Sequence, residues 1–71
     1  MAAPSSAMGA RVKAMRQQRC PGESARTFAR RVGINYAHLS KIESGNVMPT
    51  LPTLEKLAVG LGVELQELIS Q

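Results

Sequence analysis

Three residues join two short segments of this chain that both show helical spacing of apolar residues, and this connection limits the fold more than any other feature. Gly33 can adopt the left-handed conformation that commonly ends a helix, and Asn35 is a residue type that favours the start of the next one. With only Ile34 between them, the two helices must meet at a steep angle. The sequence therefore predicts a helix capped by Ser24 and ended by Gly33, followed by a helix from Tyr36 to Glu43 or Ser44.

The remainder of the chain also predicts helices. Apolar residues recur three and four positions apart, and no segment alternates as a half-buried strand would. We predict a first helix over 9–19, a fourth from its cap Thr50 to Gly62, and a fifth over 64–70. The predicted core positions are Val12, Met15, Phe28, Ala29, Val32, Leu51, Leu54, Leu57, Ala58, Leu61, Leu65, Leu68 and Ile69. The expected fold class is all-α, a compact bundle of five helices.

A chain of 71 residues holds one domain and buries only about 60% of its unfolded surface. We expect a flexible N-terminal tail over 1–8 and the domain over 9–71. The N-terminal segment lacks the apolar run of a signal peptide, and no run reaches the roughly 18 apolar residues of a membrane span. We therefore expect a cytoplasmic protein without a membrane partner.

The residues needed for metal binding or catalysis are scarce. A single Cys20 excludes an internal disulfide, and the lone His38 leaves no cluster with metal-ligand spacing. No Ser, Cys or carboxylate arrangement accompanies either side chain as a nucleophile or a general base would require. We expect no metal, no cofactor and no enzyme activity, with Cys20 as a surface thiol.

Positive charge is concentrated in the first part of the chain. The net charge is +4, yet residues 1–46 hold eight of the nine Lys and Arg and only Glu23 and Glu43, which gives this part about +6. A basic end suits a polyanion such as nucleic acid, although a basic balance can also serve solubility alone. Phe28 and Tyr36 are the only aromatic residues, which disfavours stacking on single strands and favours a duplex.

The third predicted helix has two different sides. At about 100° per residue, its inward side consists of Leu39, Ile42 and Glu43. Its outward side consists of Ala37, Lys41 and Ser44, with Ser40 between the two. Such a face suits a DNA major groove, where Lys41 can donate to guanine and Ala37 can touch a thymine methyl. Tyr36 and Ser40 can bond to bases or phosphates. The alternative is that any surface helix has a polar side.

Several spacings occur together between Arg11 and Leu68. They are the Ala29-x-x-x-Gly33-Ile34 turn, the Ile42-Glu43-x-Gly45 stop, Pro49 followed by Leu51-x-x-Leu54, and the ending Leu57-Ala58-x-x-Leu61-Gly62-Val63. This combination resembles the lambda-repressor-like, Cro/C1-type (XRE family) helix-turn-helix domain. The resemblance covers most of the chain.

The resemblance implies that the third helix, residues 36–44, is a recognition helix and that the second lies across the DNA backbone. The implied base-reading residues are Tyr36, Ala37, Ser40 and Lys41. The implied phosphate contacts are Ser24, Asn35, Ser44 and Asn46, to which we add Arg26 and His38 from their positions. An Arg on the first helix of relatives pairs with a Glu that ends the recognition helix, and these match Arg16 and Glu43. We interpret that pair as structural, because an acidic group facing DNA would be repelled.

The implied function is a sequence-specific, double-stranded DNA-binding transcriptional regulator, of repressor or controller type, that acts as a homodimer. We expect the dimer surface near Leu65, Leu68 and Ile69 and around the fourth helix. The same fold also serves as a protein-interaction module, so an antitoxin or adaptor with a protein partner is the alternative.

Three positions depart from the resemblance. Ala25 stands where relatives often carry a Gln that contacts a phosphate, and Glu23 stands where an apolar residue is common. Gly60 replaces the usual Ala, which costs about 1 kcal/mol in a helix.

Overall fold

The computed structural model describes residues 4–69, with side chains from residue 7 onward, and contains five helices in that range. They are α1 (Pro4–Arg19), α2 (Ala25–Val32), α3 (Tyr36–Glu43), α4 (Leu51–Leu61) and α5 (Leu65–Ile69). No strand occurs among these residues. The all-α class and the five-helix bundle predicted from the sequence are confirmed.

The start of α1 differs from the prediction. The helix begins at Pro4 rather than Gly9, so residues 4–8, which we assigned to the tail, are helical. Pro is tolerated in a first turn because its missing N–H has no partner there. Met8 packs against the core and anchors this extension. Residues 1–3 of the predicted tail lie outside the described residues.

Gly9 has a packing role rather than a capping one. It is buried, and a Cβ atom on it would overlap the carbonyl oxygen of Ile42 and lie 2.9 Å from that of Glu43. The absence of a side chain therefore allows α1 to approach the C-terminal end of α3 closely.

Local capping chemistry fixes the ends of α2, α3 and α4 as predicted. The side chains of Ser24, Asn35 and Thr50 accept hydrogen bonds from first-turn N–H groups of the three helices, which satisfies donors that have no intrahelical partner. Gly33 and Gly62 adopt left-handed φ values of 82° and 72° where α2 and α4 end. The fifth helix is slightly shorter than predicted, and Ser70 lies outside the described residues.

The core lies between all five helices. Its buried apolar residues are Val12, Phe28, Ala29, Leu39, Ile42, Leu54, Leu57, Ala58, Leu61 and Leu68. The prediction for Leu51 is wrong, because this side chain is 57% exposed and the buried stripe of α4 begins one turn later, at Leu54. Met15, Val32 and Leu65 are partly buried against the core, and Ile69 is exposed.

Close contact between α2 and α4 explains Gly60. A Cβ atom at this position would overlap Cγ1 of Val32 and lie 3.6 Å from Cε1 of Phe28. Glycine at this position lowers helix propensity, but it allows the two helices to pack at a short distance.

Candidate nucleic-acid interface

An ion pair holds the end of α3 against α1. The Nε of Arg16 donates to Oε2 of Glu43 at 2.7 Å, and its Nη2 donates to Oε1 at 3.1 Å. Each side chain is only 10% exposed. The hydrogen bonds to Glu43 raise the pKa of Arg16 above its ordinary value. The structure thus brings together the two residues that the sequence predicted as a pair, and Glu43 turns inward, away from the outer face of α3.

The outer face of α3 is open to solvent. Leu39 and Ile42 are fully buried and fix the helix on the core. The residues predicted to read bases, Tyr36, Ala37, Ser40 and Lys41, are all exposed. Tyr36 is partly covered by Arg26, and the other three side chains leave this flank open to a ligand.

The residues predicted to bind phosphates occupy the borders of the same face. Ser24 and Asn35 are exposed at the starts of α2 and α3, and Ser44 and Asn46 are exposed just after α3. His38 is half-buried. The N-termini of α2 and α3 also present first-turn N–H groups, which favour anions.

Three of these polar side chains already serve local structure, and Ser24 does so by accepting from the N–H of Thr27 at 3.1 Å. The N–H of Ala37 donates to Oδ1 of Asn35 at 2.8 Å, and the hydroxyl of Ser44 donates to the carbonyl oxygen of Lys41 at 3.1 Å. The amide nitrogen of Asn35 remains without a hydrogen-bond partner among the described residues. It can therefore donate to an external acceptor without loss of the cap.

Arg26 lies across the ring of Tyr36. Its Cζ atom is 4.3 Å from the ring centroid, so the guanidinium on α2 and the first residue of α3 form a cation–π pair. Both residues were predicted to lie near DNA, but their contact with each other was not predicted. The two lie on separate helices, and the ten-residue separation along the chain carries no helical periodicity that would have indicated it.

Lys13 was not among the residues predicted to contact DNA. This exposed lysine of α1 lines a cavity of about 280 Å³ together with Arg16, Tyr36, Ser40 and Ser44. It precedes Arg16 by one helical turn, and that spacing places both on the side of α1 that faces α3. Because Arg16 was predicted to face α3, the same spacing could have indicated that Lys13 lies on that side of α1 as well.

Arg31 is occupied elsewhere. Its guanidinium donates to both carboxylate oxygens of Glu23 at 2.8 and 2.9 Å. It also donates to the carbonyl oxygen of Gly60 at 3.0 Å and approaches Sγ of Cys20 at 3.5 Å. The hydrogen bonds from Arg31 lower the pKa of Glu23 below its ordinary value. Glu23 thus has a partner at a position where an apolar residue was expected.

Among residues 4–69, no three His, Cys, Asp or Glu side chains come together as a metal site would need. No helix in that range is long and apolar enough to cross a membrane.

Comparisons with known proteins agree with this geometry. The helix-turn-helix domain family matches residues 7–70 of the chain. The control protein C.MunI of a Mycoplasma species is 34% identical over 62 residues, which cover 87% of this chain and 82% of that protein. The crystal structure of the restriction-modification controller protein C.AhdI from Aeromonas hydrophila is similar with a TM-score of 0.81 and 28% identity, over 90% of this chain and 94% of that one. This chain belongs to the Cro/C1-type helix-turn-helix family.

Proposed function

We propose that this protein is a controller-type transcriptional regulator that binds a specific double-stranded DNA sequence with α3 in the major groove. The observation that carries the proposal is the exposed outer flank of α3, held in place by Leu39, Ile42 and the Arg16–Glu43 pair. A major groove is wide enough to admit an α-helix presented in this way. The similarity to control proteins supports the same role, and the family is regulatory rather than enzymatic.

Each exposed side chain of α3 has a role that follows from its chemistry. Lys41 donates to guanine O6 or N7, and the methyl group of Ala37 contacts a thymine methyl. Tyr36 and Ser40 each offer a hydroxyl that can donate to or accept from a base edge. Glu43 does not contact bases, because its carboxylate is bound to Arg16.

Phosphate contacts position the module on the duplex without selecting the sequence. We assign this role to Ser24, Asn35, His38, Ser44 and Asn46, which border the exposed face of α3. Arg26 was also predicted from the sequence to bind a phosphate, but its contact with the Tyr36 ring favours a role in base reading instead.

A homodimer on a roughly two-fold symmetric site completes the proposal. One small module buries only about 600 to 1,000 Å² on DNA, so two half-sites are needed for useful affinity. The predicted dimer surface needs one correction, because Leu68 is fully buried and cannot contribute. Ile69 on α5 is 46% exposed and remains in the set, and Val59 on α4, which is 81% exposed, takes the place of Leu68. We place this regulator in the cytoplasm, together with the DNA that it binds.

Binding to duplex DNA at several salt concentrations tests the proposal. We would select bound fragments from random duplexes and then measure affinities by fluorescence anisotropy, including the DNA upstream of the protein's own gene. Affinity should fall steeply with salt, because bound Lys and Arg release counterions. The selected site should contain two half-sites about one helical turn apart.

Lys41→Ala and Lys56→Ala form a matched pair of variants. Both remove one exposed positive charge, but Lys56 lies on α4, where its Nζ donates to the carbonyl oxygen of Gly33 at 3.4 Å. Lys41→Ala should lose about 1–3 kcal/mol of discrimination at one base pair, and Lys56→Ala should keep the preference of the wild type. Failure of any duplex to bind at low salt, together with a stable complex formed with a neighbouring gene product, would instead support the antitoxin or adaptor alternative.

A further inference from the structure

The stack of Arg26 on Tyr36 places an unpaired guanidinium at the start of the recognition helix. Arg26 stands in the first turn of α2, and Tyr36 is the first residue of α3. Both side chains are exposed, and their centres are 4.3 Å apart. Arg26 makes no hydrogen bond or ion pair with another residue in the described range.

The geometry leaves the hydrogen-bonding edge of Arg26 available. A guanidinium that lies over a ring uses its face, whereas its five N–H donors point outward in the plane of the group. An exposed cation–π contact of this kind favours the stacked position of the Arg26 side chain over unstacked positions by about 2- to 5-fold. The ring of Tyr36 therefore aligns a planar, forked donor before any ligand arrives.

The position of the stack distinguishes base edges from backbone as the target. In helix-turn-helix proteins the first helix of the motif crosses the DNA backbone, and the N-terminal residues of the recognition helix contact base edges. An arginine on α2 would by default reach a phosphate. Contact with Tyr36 instead places the guanidinium of Arg26 at the N-terminal end of α3, the end with which recognition helices contact base edges.

We propose that Arg26 is a specificity-determining residue that reads a guanine from α2, with the ring of Tyr36 as the platform that positions it. The planar fork of Arg26 matches the O6 and N7 acceptors of guanine, which is the commonest specific contact in the major groove. This inference rests on the proposed function. It replaces the phosphate role assigned to Arg26 from the sequence and gives the Tyr36 ring a role beyond that of its own hydroxyl.

Selection from random duplexes with four variants tests the inference. The variants are Arg26→Gln, Tyr36→Leu, Tyr36→Phe and, as a matched control, Arg30→Gln. Arg30 is an exposed arginine of α2 that makes no contact with Tyr36. Melting curves would first establish that all variants fold. Affinities for the selected site and for each single-base change would then be measured at several salt concentrations.

One guanine of the wild-type site should depend on the stack. Arg26→Gln should reduce discrimination at that base pair by about 5- to 150-fold, the range of a good bidentate contact. Tyr36→Phe keeps the ring and should retain this preference, whereas Tyr36→Leu should weaken it by about 2- to 5-fold. The effects of Arg26→Gln and Tyr36→Leu at this base pair should be non-additive, because one contact depends on the other. Arg30→Gln should leave the preference unchanged.

Other outcomes would overturn the inference. A uniform loss of affinity in Arg26→Gln across all sequences, with a salt slope smaller by about 1, would show that Arg26 binds a phosphate only. An unchanged guanine preference in Tyr36→Leu would remove the platform role. Both results leave the proposed function intact, whereas a wild-type protein that retains no duplex at low salt would overturn the proposed function together with this inference.

Discussion

Replacement of Glu43 by Ala isolates the structural role of the pair that it forms with Arg16. The change leaves a guanidinium without its partner in a site where the side chain is only 10% exposed. Loss of one partner from a fully buried pair costs about 3–5 kcal/mol, and since some contact with water remains here, we expect about 2–3 kcal/mol. For a domain of this size, that decrease in the free energy of unfolding corresponds to a fall in Tm of about 10–20 °C.

Glu23→Ala is the matched control. It removes another two-bond pair between a carboxylate and an arginine, but Arg31 in that pair is 45% exposed and keeps its bond to the carbonyl oxygen of Gly60. Tm should therefore fall much less than in Glu43→Ala. Adding Arg16→Met to Glu43→Ala should recover part of the lost stability, because no unpaired charge is then buried.

Two assays separate the structural role from a role in recognition. Thermal unfolding followed by circular dichroism gives the stability change, and DNA selection well below the melting temperature gives the sequence preference. We expect Glu43→Ala to keep the preference of the wild type, because its carboxylate faces Arg16. A melting temperature no lower than that of Glu23→Ala would refute the reasoning, as would a changed preference at any base pair.

Three further predictions concern stability. Gly9→Ala and Gly60→Ala should both destabilise the protein, although alanine favours helices more than glycine does. Gly9→Ala should cost more than the roughly 1–3 kcal/mol that is typical of overpacking, because the new Cβ atom meets backbone rather than a side chain. The pKa of Glu23 is lowered in the folded state. Its contribution to the free energy of unfolding is therefore present above the ordinary glutamate pKa, and it is lost as the pH falls through the pKa of the folded state. In thermal unfolding at a series of acidic pH values, the Tm of Glu23→Gln should therefore fall less with pH than the Tm of the wild type. Thr50→Ala should lose about 1 kcal/mol by denaturant unfolding, because it removes the cap of α4.

Much of the candidate site follows from short-range features of the sequence. The ends of α2 and α3 are fixed by Ser24, Gly33 and Asn35, whose effects act within one turn of their own position. Once the limits of α3 are known, helical periodicity places Leu39 and Ile42 on the buried side and leaves Lys41 outside. These elements were predicted correctly because no distant residue is needed to decide them.

Other features depend on distances between helices, which periodicity does not supply. Leu51 has the spacing of a core residue but stands at an end of α4 where it is exposed, and Leu68 is covered completely although it was expected at a dimer surface. The roles of Gly9 and Gly60 become visible only from contacts between helices, with the backbone of α3 at Gly9 and with the Val32 side chain at Gly60.

The sequence by itself determined the five helices, their caps and the orientation of α3, because each follows from side chains within a few residues of one another. Tertiary structure alone decided how Arg26 and Arg31 are used. It brings Arg31 to Glu23 and the end of α4, and it lays Arg26 over Tyr36. These long side chains can reach several partners, and the packing angle between helices determines which partner lies within contact distance.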